Sequence, residues 1–248
     1  MDKQTTIGGL RAIELTFRPI REISMGKTAF YQSRTHLNTP DGILMPEVFR
    51  EVADYTTQKD KLFPLELIQA IECIKEFSAK DVNFEWLSVF MPVSTLISLK
   101  TEYKLMAFCD RYEVSPNRIC FALPEKLLAE DNPNINQTIT NIRHRGFHFM
   151  LTNFGGNGCP FMKLSEIDVD YVMLSPDVTY YLGRNERADT AVKSIVSFIS
   201  TLDCETVADG VFGSRQAEKL YTFGCNYCSG NVSGNYVPKS EILENSNG

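Results

Sequence analysis

Positive charge is scarce in this chain. Its 248 residues carry 25 Lys and Arg against 31 Asp and Glu, a formal charge of −6. Duplex binding draws most of its affinity from phosphate neutralisation by cations, so this balance argues against direct nucleic-acid contact. Histidine is scarcer still, at three residues, and leaves little room for histidine chemistry. His144 and His148 have a metal-like spacing, but Gly146 between them reads as a helix end followed by a strand, so they would not share a helix face. No apolar run is long enough to span a bilayer. The most apolar window, Trp86 to Leu99, is broken by Ser88, Pro92, Ser94, Thr95 and Ser98. Met1-Asp2-Lys3-Gln4-Thr5-Thr6 has no apolar core behind it, so no secretory signal is read. A cytoplasmic protein without membrane contact is the expectation.

A disulfide framework is missing too. Seven cysteines is an odd number, and Cys73, Cys109, Cys120 and Cys204 sit in apolar surroundings, the usage of a reducing compartment. Cys225-Asn226-Tyr227-Cys228 is a CxxC with no second pair to complete a zinc site. Gly224 before it reads as a helix stop, where a redox pair would want a helix start. Phe154-Gly155-Gly156-Asn157-Gly158 is Gly-rich but lacks both the Lys-Ser/Thr of a P-loop and the dinucleotide spacing. Arg143-His144-Arg145 reads as the solvated end of a helix, where cations suit the dipole.

What is present is a full core: 43% hydrophobic and 23% charged residues, ordinary values for a globular protein. No linker divides the chain, so one domain is expected over residues 1–243, with a disordered tail from Glu244 to Gly248. Ile13, Leu15 and Phe17 alternate with polar residues, Ser24-Met25-Gly26-Lys27 supplies a turn, and Thr28–Arg34 returns: a hairpin. Helix and strand then alternate. A helix starts at Pro64, with Leu67, Ile68, Ile71 and Ile74 on one face. Strand Trp86–Phe90 precedes a helix around Leu96–Arg111. Arg118–Leu123 is a strand, and Asn132 and Pro133 are the N-cap and N1 of the helix carrying Ile135, Ile139 and Ile142. Strands at Phe147–Leu151 and Tyr171–Leu174 follow, then a helix capped by Asp189. The strand Thr206–Ala208 and a helix over Ser214–Phe223 complete the set. These repeats imply an α/β fold with a largely parallel sheet closed into a barrel, modified by the opening hairpin.

Catalytic groups gather at strand ends in such folds. Here the exit residues Thr152 and Asn153 do not ionise. Five segments in order, Phe17-Arg18-Pro19-Ile20, Gly42 to Phe49, Asn153-Phe154-Gly155-Gly156, Ala208-Asp209-Gly210-Val211 and Phe223-Gly224-Cys225-Asn226-Tyr227, resemble the EAL domain. The resemblance runs from about residue 12 to 238. It implies a modified (β/α)8 TIM-like barrel with one antiparallel strand. Active members of that family cleave cyclic di-GMP with two Mg²⁺ or Mn²⁺ ions in a ring of carboxylates and one Asn.

Laid on this chain, the family pattern places its naming Glu at Phe30, its metal-binding Asn at Phe90 and the next Glu at Phe121, with a second acidic position near Pro124 or Glu125. Its Asp pair becomes Thr152-Asn153, and its Lys-x-Asp becomes Met173-Leu174-Ser175. Asp209 alone survives, shortened from Glu. Arg34 is retained at a phosphate-contacting position, while Arg18 and Ser229 stand where Gln is usual. No catalytic, cofactor-binding or metal-binding residue is therefore assigned, and no cofactor. The resemblance to enterobacterial EAL-like anti-flagellar regulators implies a non-enzymatic role. The expected partner is a subunit of the flagellar master transcription activator. Exposed aromatics such as Tyr180 and Tyr181 are candidate contacts by residue type, with core packing an equal account of them. The alternatives are a non-hydrolysing cyclic di-GMP receptor and a residual phosphodiesterase.

Overall fold

The computed structural model describes residues 6–7, 10–54, 59–156 and 158–245. Asn157 of the Gly-rich loop, the first five residues and residues 246–248 lie outside them. The opening hairpin forms as expected but longer. Strand β1 (Ile13–Glu22) runs antiparallel to β2 (Thr28–Thr39), paired from Ile13↔Leu37 to Arg21↔Thr28 with a register shift at Ile20/Arg21. The turn closes through Gly26, at φ +64°, whose N–H donates to the Glu22 carbonyl. A positive φ without side-chain strain is what glycine supplies there.

Helices α1 (Pro46–Asp54) and α2 (Lys59–Ala79) follow, then β3 (Leu87–Phe90), α3 (Thr101–Tyr112), β4 (Ile119–Pro124), α4 (Pro133–His144), β5 (His148–Phe154) and β6 (Tyr171–Leu174). After them come α5 (Glu186–Ser200), β7 (Glu205–Ala208), α6 (Ser214–Thr222), β8 (Tyr227–Cys228) and α7 (Lys239–Asn245). Neighbouring strands from β2 to β8 pair in parallel. Strand β8 then pairs antiparallel with β1, Tyr227 opposite Glu22, and the barrel closes. This is the expected eight-stranded α/β barrel with one antiparallel strand.

Period-2 alternation divides the strand side chains. Ile20, Phe30, Trp86, Cys120, Ala122, Met150, Met173 and Val207 point inward as one buried cluster. Phe17, Leu87, Phe121, Phe149, Leu151 and Val172 point outward, into the larger core against the helices. Each large side chain fully buried in these layers contributes about 1.5–3 kcal/mol of transfer free energy.

Several strand ends shift by one to three residues, and larger differences from expectation fall elsewhere. Pro64 lies inside α2, which begins at Lys59. The helix expected around Leu96–Arg111 is two, Val93–Leu96 and α3. Asn185, not Asp189, caps α5, its side chain accepting from Ala188 N–H. Asp189 instead accepts from Gly183 N–H and Lys219. Glu244 and Asn245, assigned to the tail, are the last residues of α7. By contrast Asn132 and Pro133 start α4 as read, with Asn132 accepting from Asn134 N–H.

Candidate functional site at the barrel mouth

The C-terminal strand ends open into a cleft of about 740 Å³, lined among others by Arg18, Gln32, Arg34, Glu47, Arg50, Phe90, Thr152, Asp209 and Tyr236. Phe90 reaches this mouth, as expected from sequence. Its ring lies 3.8 Å beneath the Arg50 guanidinium.

Phe30 does not reach it. That ring is fully buried near the opposite end of the barrel, stacked on Trp86 and packed against Tyr171 and Tyr227. The inward residue of β2 at mouth height is Gln32, two positions on along the same face. Phe121 also differs from expectation, because it faces outward onto Phe63, Phe147 and Phe149. Ala122 and Pro124 are what β4 presents to the cleft. Met173 is buried inside the barrel, contacted by Gln32 Nε2 at 3.5 Å.

Thr152 donates to the Leu123 carbonyl at 2.9 Å. Asn153 is held at φ +63° and reaches Glu125 Oε2 at 3.4 Å. Asn tolerates that left-handed conformation better than most side chains. Gly155 follows at φ +84°, and a Cβ there would come within 2.6 Å of Val178. Ser175 caps the short helix Pro176–Thr179 by accepting from Asp177 N–H, which is a structural use.

Charge at the mouth is paired internally. Arg18 Nη2 lies 2.7 Å from Asp209 Oδ1 and donates to Gln32 Oε1 at 2.6 Å. Ser229 and the Gly210 N–H also donate to Asp209 Oδ1, at 2.9 and 2.7 Å. Arg34 pairs with Glu47 at 2.6 Å, and Arg50 with the buried Glu66 at 2.6 Å. Tyr236 lies under both Arg18 and Arg34, at 4.8 and 5.4 Å, and burial pushes its hydroxyl up to about 12.

Among the described residues no group of three or more His, Cys, Asp or Glu side chains is placed to hold a metal ion. Hard divalent cations take six or more oxygen ligands, one or more of them carboxylate and the rest carbonyl, substrate or water oxygens. The donor set of this mouth does not fit the metal pair that the family resemblance implies, and no chemical step is derived through it.

The other sequence candidates fall elsewhere. Arg143 is bonded to Asp168 and Asp170, and Arg145 to Glu102, so that run is tied into the structure as well as solvated. His144 ends α4 and His148 begins β5, on different elements. Cys225 and Cys228 are buried free thiols that burial pushes up to about 12 and 11. Tyr180 and Tyr181 are 66% and 52% exposed, and Phe212 on the next βα loop is 76% exposed. Core packing does not account for them. The Arg184 guanidinium stacks 3.7 Å over Tyr180 and 5.0 Å over Tyr181. Gln216 links the two loops by accepting from Phe212 N–H and reaching the Leu182 carbonyl. No sequence signal singled out Phe212, because one aromatic after a strand reads equally well as core.

A barrel closed by one antiparallel strand, with a loop-lined mouth, places the chain among modified TIM barrels. The EAL domain family matches residues 5–235, and the chain belongs to it. It is 24% identical over 234 residues to the probable cyclic di-GMP phosphodiesterase PdeB of Escherichia coli, 94% of this chain and 44% of that protein. It is 27% identical over 133 residues to the cyclic di-GMP phosphodiesterase PdeB of Shewanella oneidensis, 54% of this chain and 16% of that protein. The matches thus span less than half the length of these curated relatives. Among solved structures, an EAL domain protein from Listeria monocytogenes superposes with a TM-score of 0.82 at 18% identity, covering 94% of this chain and 92% of that one. The FimX EAL domain from Pseudomonas aeruginosa bound to c-di-GMP gives 0.78 at 15%, covering 90% of each. At these identities the likeness establishes the fold. Among the described residues no helix is long and apolar enough to cross a membrane.

Proposed function

We propose that this EAL-family chain is a non-enzymatic regulator that acts by binding a protein in the cytoplasm. The partner we favour is a subunit of the flagellar master transcription activator, whose DNA binding the complex would block, repressing motility. The observation that carries the reading is the state of Asp209. Of the family's acidic positions it is the one the sequence keeps, and its Oδ1 is already taken by Arg18, Ser229 and a backbone N–H. A carboxylate so engaged is a poor ligand for a hydrolytic metal, and Phe90 and Thr152, which line the same cleft, offer no charge. Fold does not fix function, and a barrel without its reaction still presents loops. Tyr180, Tyr181, Arg184 and Phe212 are the loop residues whose types favour a protein contact.

Co-purification from a bacterial lysate tests the reading, followed by reconstitution with the purified activator subunit. A stable complex that competes with the activator's DNA is expected. No regulator enriched, together with cyclic di-GMP hydrolysis in Mn²⁺ that vanishes in Asp209→Ala, would overturn it.

A second reading, a cyclic di-GMP receptor without hydrolysis, is favoured by Arg18 and Arg34 in the cleft. The FimX structure is of an EAL domain with that dinucleotide bound. Titration calorimetry with and without Mg²⁺ separates the two, since absence of heat at high micromolar ligand removes the receptor.

A further inference from the structure

We propose that Arg18 is the resident cation of the barrel mouth. Its guanidinium, held between Asp209 and Gln32, engages two of the oxygens a divalent ion would draw on, Asp209 Oδ1 and Gln32 Oε1, and the cleft therefore refuses such ions. The inference deepens the non-catalytic reading and shares Asp209 with it, but it is tested separately.

Coordination is the first argument. Asp209 Oδ1 already accepts three hydrogen bonds, from Arg18, Ser229 and Gly210. Gln32 Oε1, a side-chain carbonyl of the same cleft, accepts from the same Arg18 Nη2 at 2.6 Å. The Gln32 amide nitrogen is turned to Met173 Sδ, and the Thr152 hydroxyl is spent on a backbone carbonyl. An incoming ion would have to break these bonds to collect protein oxygens, and among the described residues no group of three carboxylate, His or Cys side chains is placed to replace them.

Charge is the second. A guanidinium is a permanent cation, and it repels a second one. The side chain is only 13% exposed and lies 4.8 Å under the Tyr236 ring, so it is not free to swing aside. On the opposite wall β6 contributes Met173, an apolar group. The inner cleft therefore balances one carboxylate with one cation carried on β1.

The test is titration of the full chain with MnCl₂ at constant ionic strength, read by calorimetry and by thermal unfolding. Wild type should give no heat and no rise in Tm. Arg18→Gln should lower Tm, because Asp209 loses its partner, and should gain a Mn²⁺-dependent recovery. Arg18→Gln/Asp209→Asn should be more stable than Arg18→Gln without metal and should show no Mn²⁺ response. Mn²⁺ binding by wild type that disappears in Asp209→Asn overturns the inference even if a protein partner is captured. So does an Arg18→Gln variant with unchanged Tm and no Mn²⁺ response. Cyclic di-GMP turnover by wild type that ignores added Mn²⁺ would instead end the regulator reading and leave the role of Arg18 standing. If Arg18→Gln fails to fold, the wild-type titration with its Asp209→Asn control decides alone.

Discussion

The ring of Phe30 lies flat on Trp86, with centroids 3.9 Å apart and planes 6° from parallel. Both are fully buried inside the barrel. The contact makes Phe30 a core residue of the closed end and separates it from the mouth. Phe30→Ala should therefore cost about 3–5 kcal/mol of stability, measured by urea unfolding. Phe30→Glu should prevent folding, because it buries a charge with no partner. Gln32→Glu, two residues along, should fold normally, since its side chain faces the cleft and Arg18. Equal tolerance of a carboxylate at both positions would disprove this assignment of heights.

That pair also marks how far the sequence could be read. The family pattern lands on Phe30, an inward-facing position that shares its face with Gln32. Facing inward carries no information about height along the barrel axis, and Phe30 sits near the end away from the mouth. On β4 even parity was hidden: Ile119 to Leu123 are all buried, on both faces. A strand sandwiched between barrel interior and helices reads as one apolar run with no phase to fix. The family pattern lands on Phe121, whereas the inward residue is its neighbour Ala122. Caps and stops were legible at Asn132, Pro133 and Gly146, where the backbone chemistry is local. The Arg18–Asp209 pair joins residues far apart in sequence, and only closure of the barrel through β1 and β8 brings them together.

Arg50 and Glu66 form an ion pair in which the carboxylate is almost fully buried, and Thr35 donates to the same oxygen. Removing one partner leaves an uncompensated buried charge. Arg50→Leu should destabilise by about 3–5 kcal/mol, and Arg50→Leu/Glu66→Leu should recover much of that loss. A double variant as unstable as the single one would show that the apolar packing of Arg50 on Phe90 matters more than its charge.

Acid should weaken the fold through its histidines before its carboxylates protonate. Burial holds His148 below its ordinary 6.5, with the charge of Arg143 helping and that of Asp170 opposing. His36 is lowered by burial and then by Arg34. The unfolded chain therefore binds protons first. This contribution is complete above the ordinary histidine value and is lost as pH falls through it toward the lowered folded values. The urea midpoint should drop as pH passes below about 6.5, and His148→Asn should flatten that drop. An unchanged slope in the variant would assign the effect elsewhere.

The seven cysteines are free, and six of them are buried. Burial pushes Cys225 up to about 12, Cys228 to about 11 and the half-buried Cys159 to about 12. The thiolate is the reactive species, so native protein at neutral pH should react very slowly with an aromatic disulfide reagent. All seven thiols should react once urea is added. Rapid native labelling at Cys225 or Cys228 would revive a redox role for the CxxC.

The surface made by Tyr180, Tyr181, Arg184 and Phe212 can be tested without disturbing the core. Its aromatic side chains are mostly in solvent, so Tyr180→Ser and Phe212→Ser should leave the urea midpoint unchanged. Arg184 loses its stacking partner when Tyr180 is removed, yet no ion pair among the described residues depends on it. Buried aromatic anchors in protein interfaces cost about 2 kcal/mol or more when truncated. Tyr180→Ser/Phe212→Ser should therefore weaken binding of the activator subunit more than tenfold in calorimetry and restore its DNA binding in a mobility-shift competition. Arg18→Gln serves as the comparison, because Arg18 contacts Asp209, Gln32 and Tyr236 and none of the loop aromatics. If Arg18→Gln abolishes the complex and the loop variant does not, the partner enters the barrel mouth, and the exposed aromatics serve some other contact.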